Sequence, residues 1–227
     1  MRFRLFFILV LVLLVGMTSV LTAQSGMTQS SGTTRGGLML FGGLGLPNGA
    51  FGKTDGSDEA GYAKQGFFGG AEIMFSLAPS VGIVLDGRYM INKLNEEEIL
   101  KQAGSPSGAS VSFGSWTGIL PMGGLRLYTT GPIGIFVDAQ AGYIFAKSPE
   151  VTATYLGSSS KQDSQNGKGL AYGASAGVDI GNTLVIGASY IITKPKFEST
   201  STSGGTSTTV TMEQPMNMIQ VWAGIRF

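Results

Sequence analysis

Apolar and polar residues alternate along most of this chain, in eight blocks separated by polar or turn-forming segments. The last block is the clearest. Counting back from the terminus, Phe227, Ile225, Ala223, Val221 and Ile219 fall on one face of an extended chain, and Arg226, Gly224, Trp222 and Gln220 on the other. Successive side chains of a strand point to opposite sides, so residues 214–227 read as a strand with one oily face. The same period of two predicts strands over 35–46 (Leu38, Leu40, Leu44, Leu46), 65–77 (Phe67, Ala71, Ile73, Phe75, Leu77) and 81–92 (Val81, Ile83, Leu85, Tyr89, Ile91). Residues 112–128 form a less regular fourth strand, where Pro121 and Gly123-Gly124 suggest a bulge or bend. Three more follow over 132–146 (Ile133, Ile135, Val137, Ala139, Tyr143, Phe145), 168–180 (Tyr172, Val178, Ile180) and 183–194 (Leu184, Ile186, Ala188, Tyr190, Ile192).

The connections sort by length. Residues 78–80 and 129–131 are tight turns and Gly181-Asn182 is a two-residue hairpin signal, whereas 47–64, 93–111, 147–167 and 195–213 are long polar loops, with a helical turn or two over 95–101. Long and short connections alternate strictly, and the strand count is even. This predicts an all-β fold, an eight-stranded antiparallel up-and-down transmembrane β-barrel with its short turns on the periplasmic side. A soluble β-sandwich has similar strands but would bury its oily faces against each other and would not sort its loops so strictly.

If the apolar parity faces lipid, Glu72, Asp86, Arg88 and Asp138 point into the barrel, and Arg126, Asp179 and Arg226 fit the same rule. An arginine on the lipid face at mid-bilayer costs about 2–4 kcal/mol, which gives the bias a physical cause. Tyr89, Tyr143, Tyr172 and Tyr190 point outward near the upper strand ends, where they would form an interfacial aromatic girdle. Lys147, Lys168 and Lys194 follow one level higher, within reach of anionic headgroups.

Composition narrows the function. Charged residues make up only 13% of the chain and are nearly balanced, 15 basic against 14 acidic, so no basic face exists to hold nucleic acid. The absence of cysteine removes disulfides, thiolate metal sites and a lipoprotein acceptor. Met1-Arg2-Phe3-Arg4, the apolar run from Leu5 to Val15 and the small residues up to Ala23 predict a signal peptide over 1–23; an uncleaved helical anchor is the rival reading. Residues 24–34, rich in Ser, Thr and Gly, predict a flexible lead-in before a barrel domain over 35–227.

The architecture and the terminal Phe227 resemble the small eight-stranded outer-membrane barrels, the OmpA transmembrane-domain, OmpX and OmpW group. That resemblance implies a protein of the Gram-negative outer membrane, monomeric, surrounded by outer-membrane lipids and delivered to the barrel assembly machinery by its last strand. It further implies a barrel without the periplasmic peptidoglycan-binding domain of full-length OmpA-type proteins. Some barrels of this size are lipid hydrolases, acyltransferases or proteases that lean on a histidine base, and this chain contains no histidine. The expectation is therefore a non-enzymatic protein with no cofactor. Gly52-Lys53-Thr54 resembles the end of a phosphate-binding loop, but Pro47 replaces its first glycine and Asp55-Gly56-Ser57-Asp58 replaces its helix. The Asp55, Asp58 and Glu59 cluster reads as a solvated loop rather than a metal site.

Two candidate sites remain, both inside. Glu72, Asp86, Arg88, Arg126, Asp138, Asp179 and Arg226 form a lumen ion-pair network, read as a structural plug or as a gate that breaks and reforms. Glu72 is expected opposite Asp86 with Arg88 on the diagonal as their counterion. Above that belt Phe41, Phe68, Met90, Trp116, Leu120, Ile144, Ile191, Met216 and Met218 point inward, so the lumen is expected to be polar below and apolar above. The apolar set is either a packed plug or, as an OmpW-like reading implies, a pocket for small hydrophobic molecules. Function then lies either in structural or surface-partner contacts of the outer loops, or in binding and carrying such a ligand.

Overall fold

The computed structural model describes residues 36–57, 59–102, 104, 109–155, 158–203 and 206–227. The expected signal peptide over 1–23, the lead-in over 24–34, Arg35 and Asp58 lie outside the described residues.

The described residues contain thirteen strands: β1 (Gly37–Asn48), β2 (Ala63–Ala78), β3 (Val81–Leu94), β4 (Ala109–Phe113), β5 (Ser115–Tyr128), β6 (Ile133–Lys147), β7 (Val151–Tyr155), β8 (Ser158–Gln162), β9 (Asn166–Ile180), β10 (Leu184–Thr193), β11 (Lys196–Ser203), β12 (Thr206–Glu213) and β13 (Asn217–Arg226). Eight of them, β1, β2, β3, β5, β6, β9, β10 and β13, pair antiparallel in that order, and β13 pairs back to β1. The sheet is therefore closed, which removes the exposed edges that an open sheet would carry into lipid. Leu40 faces Ile225 across the closing seam, and the Phe227 amide donates to the Leu38 carbonyl at 2.8 Å.

The alternation seen in the sequence becomes an inside and an outside. Along β3 every second residue from Gly82 to Leu94 is buried while Ile83, Leu85, Tyr89 and Ile91 are exposed. Exposed Leu, Ile, Val and Phe side chains occur on all eight wall strands, for example Leu44, Phe67, Leu125, Ile135, Val178, Ile186 and Val221. A water-soluble protein does not present a continuous apolar belt of that extent. The belt is the lipid-facing surface of a transmembrane barrel, with strands long enough to cross a bilayer at a tilt.

Val137 sits on this belt between Leu127 of β5 and Ala176 of β9. Val137→Arg is expected to destabilise the folded protein by about 2–4 kcal/mol in lipid vesicles, read from the urea unfolding midpoint. Thr211→Arg, on an exposed hairpin outside the barrel, should stay within about 0.5 kcal/mol of the parent. Equal effects at the two positions would contradict a lipid-facing β6.

At the short-turn end, Pro79-Ser80 joins β2 to β3, and residues 129–132 join β5 to β6. The third turn is one residue longer than the Gly181-Asn182 signal, since Ile180 pairs with Leu184. Gly181 and Asn182 both adopt φ near +62°, the left-handed conformation that Gly and Asn tolerate best. The expected distortion in the fourth strand is also milder than its residues suggested. Pro121 leaves the ladder between β5 and β6 open for two residues, but the register on either side is the same and the ladder to β3 is unbroken.

The largest departures lie at the long-loop end. The segments 147–167 and 195–213, expected as loops, are largely extensions of the wall. β4 and β7 pair in the register that β5 and β6 already hold, and β7 and β8 in the register of β6 and β9. Likewise β11 and β12 continue the register of β10 and β13 from Lys196↔Glu213 to Ser203↔Thr206. Each long strand is interrupted once where it leaves the belt. Bridging bonds persist at the breaks: Gly114 N–H to the Glu150 carbonyl at 2.7 Å, and Met216 N–H to the Thr193 carbonyl at 2.8 Å. The helical turn expected over 95–101 is a short α-helix, Glu96–Gln102.

Candidate functional site

The interior divides into stacked layers. In the lowest, Asp179 of β9 and Arg226 of β13 form a buried ion pair. Next, Arg126 of β5 reaches across the lumen to Glu72 of β2, with its two terminal nitrogens on the two carboxylate oxygens at 2.5 and 2.7 Å. Its Nε and Nη2 also donate to Asp138 Oδ2 of β6, at 3.0 and 2.6 Å. One guanidinium thus serves two carboxylates in a geometry that only Arg provides. Higher up, Arg88 clamps Asp86 two residues away on its own strand, at 2.7 to 3.2 Å, and donates to Gln220 Oε1 at 2.7 Å and Gln140 Oε1 at 3.2 Å.

All seven predicted charged residues are therefore inside the barrel, and each is at most 8% exposed. The partners differ from the expectation. Glu72 does pair in register with Asp86, but its counterion is Arg126, not the diagonal Arg88. Arg88 is already occupied by Asp86 and two glutamine amides that the charge-based reading left out.

Nor is the lower lumen simply polar. Met39, Met74, Val84, Phe136, Val185 and Trp222 are buried there among the charges. Phe136 lies under the Arg126 guanidinium at 4.3 Å, and Phe41 faces Arg88 at 5.5 Å. Aromatic faces attract guanidinium groups, so these rings seal the charged layers from one another while stabilising them. Trp222 fills the space between Phe41 and Phe136, with ring centroids 5.5 and 6.0 Å away, and its Nε1–H donates to Ser189 Oγ at 2.9 Å. Gly187 and Gly177 make room for these rings: a Cβ on Gly187 would stand 2.6 Å from the Trp222 ring, and one on Gly177 2.6 Å from Phe136.

The nine residues proposed for an upper pocket, Phe41, Phe68, Met90, Trp116, Leu120, Ile144, Ile191, Met216 and Met218, are brought together, and the most exposed of them reaches only 8%. Little of their surface is left open. A lid closes over them. Phe51, on a 3-10 turn (Gly49–Gly52), and Phe197 of β11 pack edge-on against Trp116 at 5.9 and 5.8 Å, and the Trp116 indole donates to the Gly61 carbonyl at 3.0 Å. Gln214 Nε2 donates to the Glu59 carbonyl at 2.9 Å, and Gln102 of the helix bonds both the Tyr62 hydroxyl and the Thr54 carbonyl. Phe51 and Phe197 were the residues the sequence reading missed. Their signal was a lone Phe in each of two otherwise polar segments.

On the outside, Tyr89, Tyr172 and Tyr190 are exposed on the wall; Tyr143 is half-buried against Phe145 with centroids 5.4 Å apart, and Tyr190 accepts from Asn48 Nδ2 at 3.3 Å. Above them Glu213 accepts from Lys194 at 2.6 Å and Lys196 at 3.0 Å. These hydrogen bonds, Lys194 first, hold the exposed Glu213 carboxyl below the usual carboxylate range. In the loop after the 3-10 turn, Asp55 accepts from the hydroxyl of Ser57 at 2.6 Å and from its amide at 3.1 Å, a local turn; Asp58 of the same cluster lies outside the described residues.

No family model matches the chain, and no curated protein matches it. Among solved structures it is similar to Ail, the attachment invasion locus protein of Yersinia pestis, at 16% identity over 85% of this chain and 99% of that one, TM-score 0.45. It is also similar to OprG of Pseudomonas aeruginosa, at 13% identity over 86% and 98%, TM-score 0.48, and to the outer membrane protein AlkL in DMPC bilayers, at 13% over 88% and 94%, TM-score 0.45. With eight antiparallel strands closed on themselves, an apolar belt outside and charges sorted inside, the chain has the architecture of the small eight-stranded outer-membrane barrels.

Proposed function

We propose that this is a non-enzymatic outer-membrane protein that works at the cell surface through the strand extensions above its barrel, and not as a pore or carrier. The observation that carries this reading is the burial of the inward side chains along the whole lumen. Between Arg226 and Phe51 the inward side chains form successive charged, aromatic and aliphatic layers, each packed on the next, and eight strands enclose too little space for a channel beside them. The wall meanwhile continues past the apolar belt as β4, β7, β8, β11 and β12. β8 reads Ser158-Ser159-Ser160-Lys161-Gln162 and is exposed throughout. A polar, hydrogen-bonded platform standing on a sealed barrel suits contact with a partner in water.

In this reading residues 1–23 are a signal peptide removed on export, the short turns face the periplasm, and the barrel is a monomer. The last strand with Phe227 is what the barrel assembly machinery engages.

Two measurements test it. Purified protein in liposomes should give ion conductance and hydrophobic-solute uptake no higher than empty liposomes; uptake above that level, lost on Met218→Lys, establishes the carrier instead. In cells displaying the protein, replacing residues 200–209 or 153–160 by Asn-Gly shortens one hairpin while keeping its register. The shortened barrels should keep the compact, unheated electrophoretic mobility of the parent but lose its effect on cell adhesion. Adhesion unchanged in both variants leaves the surface role without a carrier.

A further inference from the structure

A groove of about 530 Å³ opens on the lipid-facing side of the wall, at the level where the apolar belt gives way to the polar extensions. Its origin is a local break in pairing. β9 and β10 stay paired up to Ala171↔Thr193, and β9 next pairs at Lys168↔Lys196, in the same register. The intervening Pro195 has no N–H to donate, and Gly169 opposite it leaves no room for a side chain, since a Cβ there would lie 2.8 Å from the Lys194 carbonyl oxygen. The strands remain adjacent but unladdered, and the outward side chains splay around the gap.

The groove has two chemistries. Its lower part is apolar, formed by Leu170, Tyr172 and Ile192 with Tyr143 beside them. Its upper part carries Lys168, Lys194 and Lys196 against a single carboxylate, Glu213. Glu213 is shared by Lys194 and Lys196, while Lys168 has no carboxylate partner among the described residues. Three ammonium groups face one lining carboxylate above an oily floor, and with Glu59 near enough to act on Lys194 through space the groove keeps a net positive charge facing the bilayer.

From this arrangement we infer a binding site for a phosphate-bearing membrane lipid, with its phosphate between Lys168 and the Lys194–Lys196 pair and an acyl chain along Leu170, Tyr172 and Ile192. A zwitterionic headgroup brings its own ammonium and gains little from surplus cations; a phosphate monoester or phosphodiester without one gains most. Asn217 at the groove edge supplies a neutral hydrogen-bonding group next to the phosphate position. The site depends on the transmembrane fold alone and stands whether or not the surface role does.

The test uses the full barrel in phosphatidylcholine vesicles doped with spin-labelled phosphatidic acid or, separately, spin-labelled phosphatidylcholine, and compares the motionally restricted fractions. The parent should prefer phosphatidic acid. Lys168→Gln should lower that preference about fivefold, and Lys168→Gln/Lys194→Gln/Lys196→Gln should abolish it, while the triple Arg variant keeps it. Lys64→Gln/Lys93→Gln, at exposed rim positions outside the groove, should change nothing. An unaltered preference in the triple Gln variant overturns the site, and so does an equal loss from the rim pair. If millimolar inorganic phosphate erases the preference, the groove is a free-anion site and the lipid assignment fails.

Discussion

Arg126→Met is expected to destabilise the barrel by about 3–5 kcal/mol, because it strips two buried carboxylates of their common counterion. Glu72 and Asp138 are 2% and 6% exposed, and among the described residues the other two guanidinium groups are engaged: Arg88 holds Asp86, and Arg226 holds Asp179. Equilibrium unfolding in urea, in phosphatidylcholine vesicles, measures the loss. The informative comparison is the triple variant Glu72→Gln/Arg126→Met/Asp138→Asn, which removes all three charges together. A buried ionic set is often replaceable as a whole at little cost even when breaking it is severe. The triple variant should therefore recover most of the stability lost in Arg126→Met. A loss under about 1 kcal/mol in the single variant would mean that water or lipid headgroups reach these carboxylates, and the sealed lumen would have to be abandoned.

The second large effect is expected at Trp222→Ala, again about 3–5 kcal/mol. Its indole occupies the centre of the lumen between Phe41 and Phe136, in a space that Gly187 opens for it. The wall is held by its own hydrogen-bonded ladders to both neighbours, so the barrel cannot collapse into the void and the full cavity cost should be felt. Trp222→Phe should cost less, retaining the ring contacts and losing the hydrogen bond to Ser189. Phe75→Ala, at an exposed ring on the lipid side, is the control and should cost clearly less than Trp222→Ala. If it costs as much, the inside and outside have been assigned to the wrong parities.

Period-two patterning makes the wall legible in the sequence, because a barrel in lipid reverses polarity at every residue and leaves no ambiguity about which side a charge occupies. Asp86, Arg88 and Asp138 could be placed inside from their neighbours Leu85, Tyr89 and Val137 alone. What the pattern could not supply was the meeting of side chains from strands that are not adjacent. Arg126 on β5 and Glu72 on β2 are separated by β3, and their contact depends on strand tilt and stagger, which leave no trace in one dimension. The extensions were missed for a different reason. Residues such as 158–162 have no buried face, so alternation has nothing to act on, although the ladder forms equally well from serine backbones. The lid residues Phe51 and Phe197 were concealed by the same polar surroundings.

The unbroken register between wall and extensions has a mechanical consequence. A partner that pulls on the tip of β11 and β12 loads β10 and β13 lengthwise, so the force is resisted by many cross-strand bonds in shear at once instead of peeling them one at a time. The interruptions at Pro195 and Pro215 do not break this path, because the Gln214 and Met216 amides still donate across them to the Pro195 and Thr193 carbonyls. A hairpin rooted in this way hands an axial pull on to the anchoring cylinder.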